Sequence, residues 1–400
     1  MRRGAVILVL LAGCTRAPVQ PPAPSGPRTT DGVLARSNLE AMIGARERAL
    51  QRDPTWAGSR AALVTLLVTR ASTYGRIDDY DRAIAVAEEG VQRTPRAPDA
   101  WLARASARAA LHRFGPALDD SERAVALGAD PDAVDGLRAS VALARGDGTT
   151  ATALARQRAK RQPDLGTLSA LGVVLADTGD RAAASSAFQQ ALDGYQDTSA
   201  LAVAFVEFRQ GLLAESAGEL SRAEERYRSV LRRLPGHAQA ALHLASLELA
   251  VGTVAGARDA LRTLLPEASD PEIDAVRAEV ARRGGDSAES TRRLADARTG
   301  YLAALGRDPE AFADHAARFF LEHEPGQALR WASLNLDNRP TPAAYDLALS
   351  AAIRADDRQA GCVLGTRALQ LRDRTARLEM LTARALDGCQ SRSAQVPGRL

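Results

Sequence analysis

An all-α array of stacked helical hairpins is the fold class this sequence predicts, and three observations predict it. The first is composition. Across 400 residues the aromatic share is 4% and the hydrophobic share 46%, carried mostly by Ala, Leu and Val. These are good helix formers, with little of the β-branched and aromatic material that strands favour. The second is a register of alanines at Ala83, Ala117, Ala151, Ala184, Ala223 and Ala257, with successive steps of 34, 34, 33, 39 and 34. The third is punctuation: glycine at Gly179, Gly218 and Gly252 ahead of these alanines, and proline at Pro54, Pro95, Pro163, Pro235 and Pro340 near the unit boundaries. Glycine ends a helix because it accepts the left-handed conformation, and proline cannot continue one.

Taken in chain order, the start is the first element to explain. Met1-Arg2-Arg3 is a short positive segment, and Ala5–Leu11 is apolar but far shorter than the roughly 20 residues that span a bilayer. Leu11-Ala12-Gly13-Cys14 then resembles the "lipobox" of bacterial lipoprotein signals at all four positions. The resemblance implies a signal peptide over 1–13, removal of that peptide, and lipidation of Cys14 by diacylglycerol with acylation (typically palmitate) of the freed amine. Two or more acyl chains hold a protein stably at a membrane, whereas one does not. Thr15 stands where an Asp would resemble an inner-membrane retention signal, which favours the periplasmic face of the outer membrane. Residues 14–31 follow as a Pro-rich tether, "TRAPVQPPAPSGPRTTD" after the cysteine. In extended form it would hold a folded body up to about 50 Å from the lipid, or serve as a plain leader with no spacing role.

From residue 32 onwards the alanines belong to a longer pattern. In 170–195 the series is Leu171-Gly172, Gly179, Ala184, Phe188 and Ala191; in 241–266 it is Leu244-Ala245, Gly252, Ala257, Leu261 and Leu264. This resembles the tetratricopeptide repeat, a 34-residue helix–turn–helix. Further copies contain Trp101, Ala105, Phe114 and Ala117; Gly211, Gly218, Ala223 and Tyr227; and Phe312, Ala316, Ala328 and Ala332. A weaker copy is placed around Ala288, and Ala360 or Gly361 opens the last. The resemblance implies a right-handed α-solenoid of about 8–9 repeats plus a closing helix over Thr375–Asp387. Residues 32–266 form the N-terminal repeats, 267–388 the remaining repeats and the capping helix, and 389–400 a tail. Small residues at repeat positions 8 and 20 let the two helices of a unit approach, and a large residue at position 24 fills the gap between units. No unit buries its apolar face alone, so stability comes from stacking.

In that family the concave wall comes from first helices, chiefly positions 2, 5, 6, 9, 12 and 13. Here those positions mostly lack the Lys, Arg and Asn that grip acidic tails, so the expectation is an apolar groove for an amphipathic helix or extended peptide. Its candidate residues are Leu102, Phe208, Arg209, Leu212, Leu242, His243, Ser246, Leu249 and Phe320. The competing expectation is a tight superhelix whose wall packs against itself.

Chemistry adds little. Positive and negative charges number 52 and 49, with no basic stripe, so nucleic acid is not an expected partner. No phosphate loop, nucleophile elbow or paired-cysteine motif is present. The five histidines, His112, His237, His243, His315 and His323, are not spaced to share a metal and read as packing or surface residues. Acid pairs such as Asp78-Asp79, Asp119-Asp120 and Asp356-Asp357 read as helix caps. No catalytic residue, metal or cofactor is assigned. Cys362 and Cys389 fall near the same end of two antiparallel helices, and are read as a disulfide or as two buried thiols. The expected role is a non-enzymatic protein-interaction scaffold or assembly factor, lipid-anchored at the bacterial envelope. A self-associating envelope protein, or an accessory subunit of an envelope enzyme, pilus or exporter complex, are the alternatives.

Overall fold

The computed structural model describes residues 27–371, 374–387 and 389. Among them lie twenty helices and no strand, an all-α repeat solenoid as the sequence predicts. The helix α1 (Gly32–Arg52) precedes nine hairpins. These are α2 (Ala57–Tyr74) with α3 (Asp78–Arg93), α4 (Pro98–Ala110) with α5 (Phe114–Ala126), and α6 (Pro131–Ala144) with α7 (Gly148–Arg161). Next come α8 (Leu165–Asp177) with α9 (Arg181–Asp193), α10 (Ala200–Ser216) with α11 (Leu220–Arg233), and α12 (Ala238–Ala250) with α13 (Val254–Leu261). The last three are α14 (Pro271–Arg283) with α15 (Ser287–Arg307), α16 (Pro309–Leu321) with α17 (Pro325–Asn338), and α18 (Pro342–Arg354) with α19 (Arg358–Ala368); α20 (Ala376–Asp387) closes the stack. The signal-peptide residues 1–13, the lipidation candidate Cys14 and most of the tail lie outside the described residues.

Local chemistry sets the boundaries. Asp147, Asp180, Asp286 and Asp357 each accept a backbone N–H of the second helix they precede, satisfying donors that a helix start leaves orphaned. Proline opens α4, α6, α14, α16, α17 and α18, where its missing N–H costs nothing. Four residues after each cap, the position-20 residue is buried: Ala151, Ala184, Ala223, Ala257 and Ala328 are all fully inaccessible. The copy placed at Ala288 is corrected by this rule. Ala288 is exposed, and Ser290, four residues after Asp286, fills the buried slot. The position-24 ring reaches the next unit, as Tyr227 does against His243, and also lies on the position-8 glycine of its own hairpin. A Cβ on Gly172 would stand 2.5 Å from Phe188, and one on Gly211 would stand 2.5 Å from Tyr227.

Two of the acid pairs do not cap. Asp79 is buried and takes both Nε and Nη2 of buried Arg70 at 2.7 Å. Asp120 is buried and binds Arg104 and Arg108 at 2.7–2.9 Å. A buried carboxylate stays ionised only where it is paired, and both pairs tie the two helices of a hairpin together. At the far end, Cys362 in α19 and Cys389 beyond α20 are joined by a disulfide.

The stack curls back on itself. Helix α1 packs on α10 and α2 on α12. One apolar cluster accordingly runs from Leu39, Leu67 and Tyr74 in the first helices to Phe208, Leu242 and Ile273 in the middle ones. Residues before α1 are fastened to the same place. Arg233, paired with Glu207 at 2.9–3.0 Å in a buried ion pair, also donates to Pro27 O and Thr29 Oγ1.

Candidate functional site

Each first helix of a hairpin is covered by its second helix on one side and by neighbouring units on two others. The face left open is a narrow stripe. On α12 the residues that are not buried run Gln239, His243, Ser246 and Ala250, spaced as one side of a helix. The equivalent stripes are Leu102 and Ser106 on α4, Phe205, Arg209 and Leu212 on α10, and Asp314, His315 and Arg318 on α16. Because the array curls, these stripes converge on a common interior.

That interior is mixed, with Leu102, Phe205 and Leu212 beside charged groups, and four of the apolar candidates are not part of it. Phe208, Leu242, Leu249 and Phe320 are 9%, 2%, 6% and 0% exposed and belong to the core. Positions 5 and 12 have rotated into the packing between units. Phe208, for example, stacks against Tyr227, His237 and His243 at 5.1–5.8 Å. Leu102, Arg209, Leu212 and His243 keep part of their surface, and Ser246 is exposed. What faces inward is position 6, two residues before the small position 8: Arg209, His243 and Asp314.

Around these residues the wall is a chain of charged contacts between units. His243 Nδ1 lies 2.8 Å from Glu215 Oε2, which also accepts from Tyr227 Oη at 2.5 Å. Burial pushes the Glu215 carboxyl up, but the bonds from His243 and Tyr227 outweigh it and hold the group below its usual range. His315 Nδ1 is 3.2 Å from Glu272 Oε2, an ion pair without hydrogen-bond alignment, and its Nε2 is 3.7 Å from Asp314 Oδ1. Burial pulls the His315 imidazole down, yet Glu272, Asp314 and Asp270 together raise it to about 9. Its side chain is nonetheless 44% exposed: water reaches a ring that acids surround. Asp314 is also 3.6 Å from Arg339, and burial raises the Asp270 carboxyl to about 6. Asp177 at the end of α8 feels both Arg209 and Arg339, so the wall links α8 and α10 to the approach of α18.

Arg209 is the least satisfied member. Its guanidinium lies over the Phe205 ring at 5.2 Å, its Nε has no hydrogen-bond partner, and burial lowers its pKa against the pull of Asp177. The sequence marks Arg209 and His243 as candidates and Asp314 as a wall position, and gives no sign of Glu272, Asp270, His315 or Arg339. The signal available was polarity recurring at position 6. Among the described residues, no group of three His, Cys, Asp or Glu could hold a metal, and no helix is long and apolar enough to cross a membrane.

The class the structure defines is an all-α solenoid of stacked helical hairpins. Residues 214–280 match the family model for the tetratricopeptide repeat. No curated protein matches the sequence. Among solved structures, the chain is similar to one in the APC/C hetero-tetramer Cut9-Hcn1, with 14% identity, a TM-score of 0.45, and coverage of 82% of this chain and 63% of that one. It thus spans less than two thirds of that protein's length. It is also similar to yeast Tom70 (12% identity, TM-score 0.39, covering 90% and 95%) and to PilW, described as a widely conserved type IV pilus biogenesis factor (16%, 0.31, covering 62% and 94%). At these identities the likeness concerns the fold alone.

Proposed function

We propose that this chain is a non-catalytic scaffold of a bacterial envelope, joined to lipid through Cys14, that holds a protein partner against its inner wall. The observation that carries the reading is the set Arg209, His243 and Asp314, polar residues at the same repeat position of α10, α12 and α16, with Val276 at that position of the intervening α14. Repeated side chains along a solenoid suit an extended, charge-bearing segment of a partner better than the apolar face of an amphipathic helix. The Leu11–Cys14 motif supports the anchor. Since Pro27 and Thr29 are held by Arg233, a linker over residues 14–26 would reach about 40 Å from the lipid at 3.1 Å per residue.

Two arms test the reading. A photo-crosslinking residue at Ser246 or Arg318 should capture a protein in the native envelope, and one at Val125, on the outer helix α5, should not. Capture from Val125 alone removes the inner wall from the proposal. Metabolic labelling with an alkyne fatty acid should mark the chain and fail on Cys14→Ala; equal labelling of both removes the anchor.

A further inference from the structure

The curl is closed by a seam where the ends of early first helices meet the beginnings of late ones. The Gly75 carbonyl, at the end of α2, accepts from Ser269 N and Asp270 N before α14, at 2.8 and 3.1 Å. At the end of α4, His112 Nδ1 lies 3.1 Å from Glu310 O in α16, and the His112 carbonyl accepts from Asn338 Nδ2 at 2.9 Å. Beside them, Arg113 Nη2 donates to Asp308 Oδ1 at 2.6 Å. At the end of α6, a Cβ on Gly146 would sit 3.1 Å from Pro340 O, before α18. The negative end of each early helix thus faces the positive start of a late one, which favours the arrangement modestly.

The seam is not uniform along its length. At the α1–α2 end it continues into the apolar cluster shared with α10, α12 and α14. Beyond that point no buried apolar cluster among the described residues bridges α4–α7 to α16–α20. The late cluster starts at Tyr301, and the small one around Ala151 and Val174 stays within α6–α8. The bonds across it among the described residues are polar: Arg113 with Asp308, 32% and 4% exposed, Arg307 with Asp78 and Asp81 at 3.2 and 3.5 Å, and the His112 bonds. Asp78, Asp81 and Arg307 are 70%, 39% and 44% exposed, the regime in which an ion pair contributes little. Polar interfaces of this kind between parts of one chain allow relative motion, whereas packed apolar ones do not.

We propose that the polar half of the seam is a clasp and the apolar half its hinge, so that the α15–α20 arm swings away from the α4–α7 arm and opens the inner wall. The wall's role as a partner site is taken from the proposed function; the motion is independent of it and is measured without a partner. Ser106 is an exposed reporter on the inner stripe of α4. In Ser106→Cys, a bulky polyethylene glycol maleimide should react slowly and N-ethylmaleimide quickly. Adding Arg113→Ala and Arg307→Ala should speed the bulky reagent about tenfold and leave the small one unchanged. Arg113→Lys with Arg307→Lys, which keeps both charges, should restore slow labelling. That restoration also separates unclasping from misfolding. A bulky-reagent rate unchanged in the double Ala variant with helical circular dichroism intact overturns the clasp. Failure of partner capture at Ser246, with the rate change present, overturns only the proposed function.

Discussion

The inner faces of the early and late hairpins are built from different chemistry. On α2, α4 and α6 the inward polar groups are hydroxyls, and each bonds to its own helix. Thr65 donates to Ala61 O, Thr69 to Thr65 O, Ser106 to Leu102 O and Ser140 to Gly136 O, at 2.8–3.2 Å. On α10 to α16 the inward groups are charged and bond to a different helix: His243 with Glu215, His315 with Glu272, Asp314 with Arg339. The early wall is therefore a row of independent residues, each satisfied locally. In the late wall His243, His315 and Asp314 each rely on a residue outside their own helix, and deleting one strands another. Sensitivity to mutation therefore belongs to the late half.

The largest expected effect contrasts the buried arginine of each half. Arg70 has Asp79 and also Glu40, so Asp79→Ala leaves it one carboxylate. Arg233 and Glu207 form a fully buried pair, 3% and 0% exposed, and Arg233 also donates to the Pro27 carbonyl and the Thr29 hydroxyl. Glu207→Ala should cost about 3–5 kcal/mol, the cost of removing one partner from a buried ion pair, and Asp79→Ala less, because Arg70 keeps Glu40. Urea denaturation of both variants checks the order; equal losses would show that Glu40 offers Arg70 no cover. Glu207→Ala should also admit trypsin at Arg28, because the clamp on Pro27 and Thr29 depends on how Glu207 orients Arg233.

A pair of glycines gives the next contrast. In the late half, a Cβ on Gly211 meets the Tyr227 ring, which is held by Glu215 and sealed in the core. In the early half, a Cβ on Gly136 meets the tip of the Arg158 guanidinium at 2.7 Å, on a side chain that can move aside. Gly211→Ala should destabilise by about 1–3 kcal/mol through overpacking. Gly136→Ala should be near neutral or gain slightly from helix propensity. Thermal melts on the two variants decide, and a costly Gly136→Ala would show that the Arg158 bonds to Asp132 are rigid.

How much of this was written in the sequence follows from what each signal encodes. The alanine and glycine register marks where helices touch, a constraint on size alone, so Ala184, Ala223 and Gly211 could be placed by counting. Ser290 escaped because a serine is small enough for the same slot but does not stand out as an alanine does. The wall was half legible. Position 6 was on the list of wall positions, and Arg209 and His243 were chosen from it. Phe208, Leu242, Leu249 and Phe320 were chosen for apolarity, the property that draws a side chain out of water and into the stack. The seam was not legible at all. His112, Glu310 and Asn338 are up to 226 residues apart, and only the accumulated rotation of every unit brings them together.

The smaller effects concern protons. His315 is raised to about 9 in the folded chain, so its contribution to stability is full below its unfolded value near 6.5 and is lost as pH rises through 9. His112 runs the other way. Burial, helped by Arg339, lowers it to about 4, so its contribution is full above 6.5 and is lost as pH falls towards 4. Stability should thus decline on both sides of neutrality. His315→Gln should flatten the alkaline limb between 6.5 and 9, and His112→Gln the acid one. If His315→Gln leaves the alkaline limb unchanged in chemical denaturation at several pH values, water screens the ring from its acids.

Smallest of all should be the hydroxyls. Thr69→Ala and Ser106→Ala each remove a donor together with the need for it, because the carbonyl they bond already serves the helix ladder. The change should stay within about 0.5 kcal/mol, and alanine's better helix propensity pushes it towards gain. A loss above that from either residue, read from urea midpoints, would mean that the hydroxyl touches something beyond its own helix. The early wall would then be coupled like the late one, and the division between the two halves would fall.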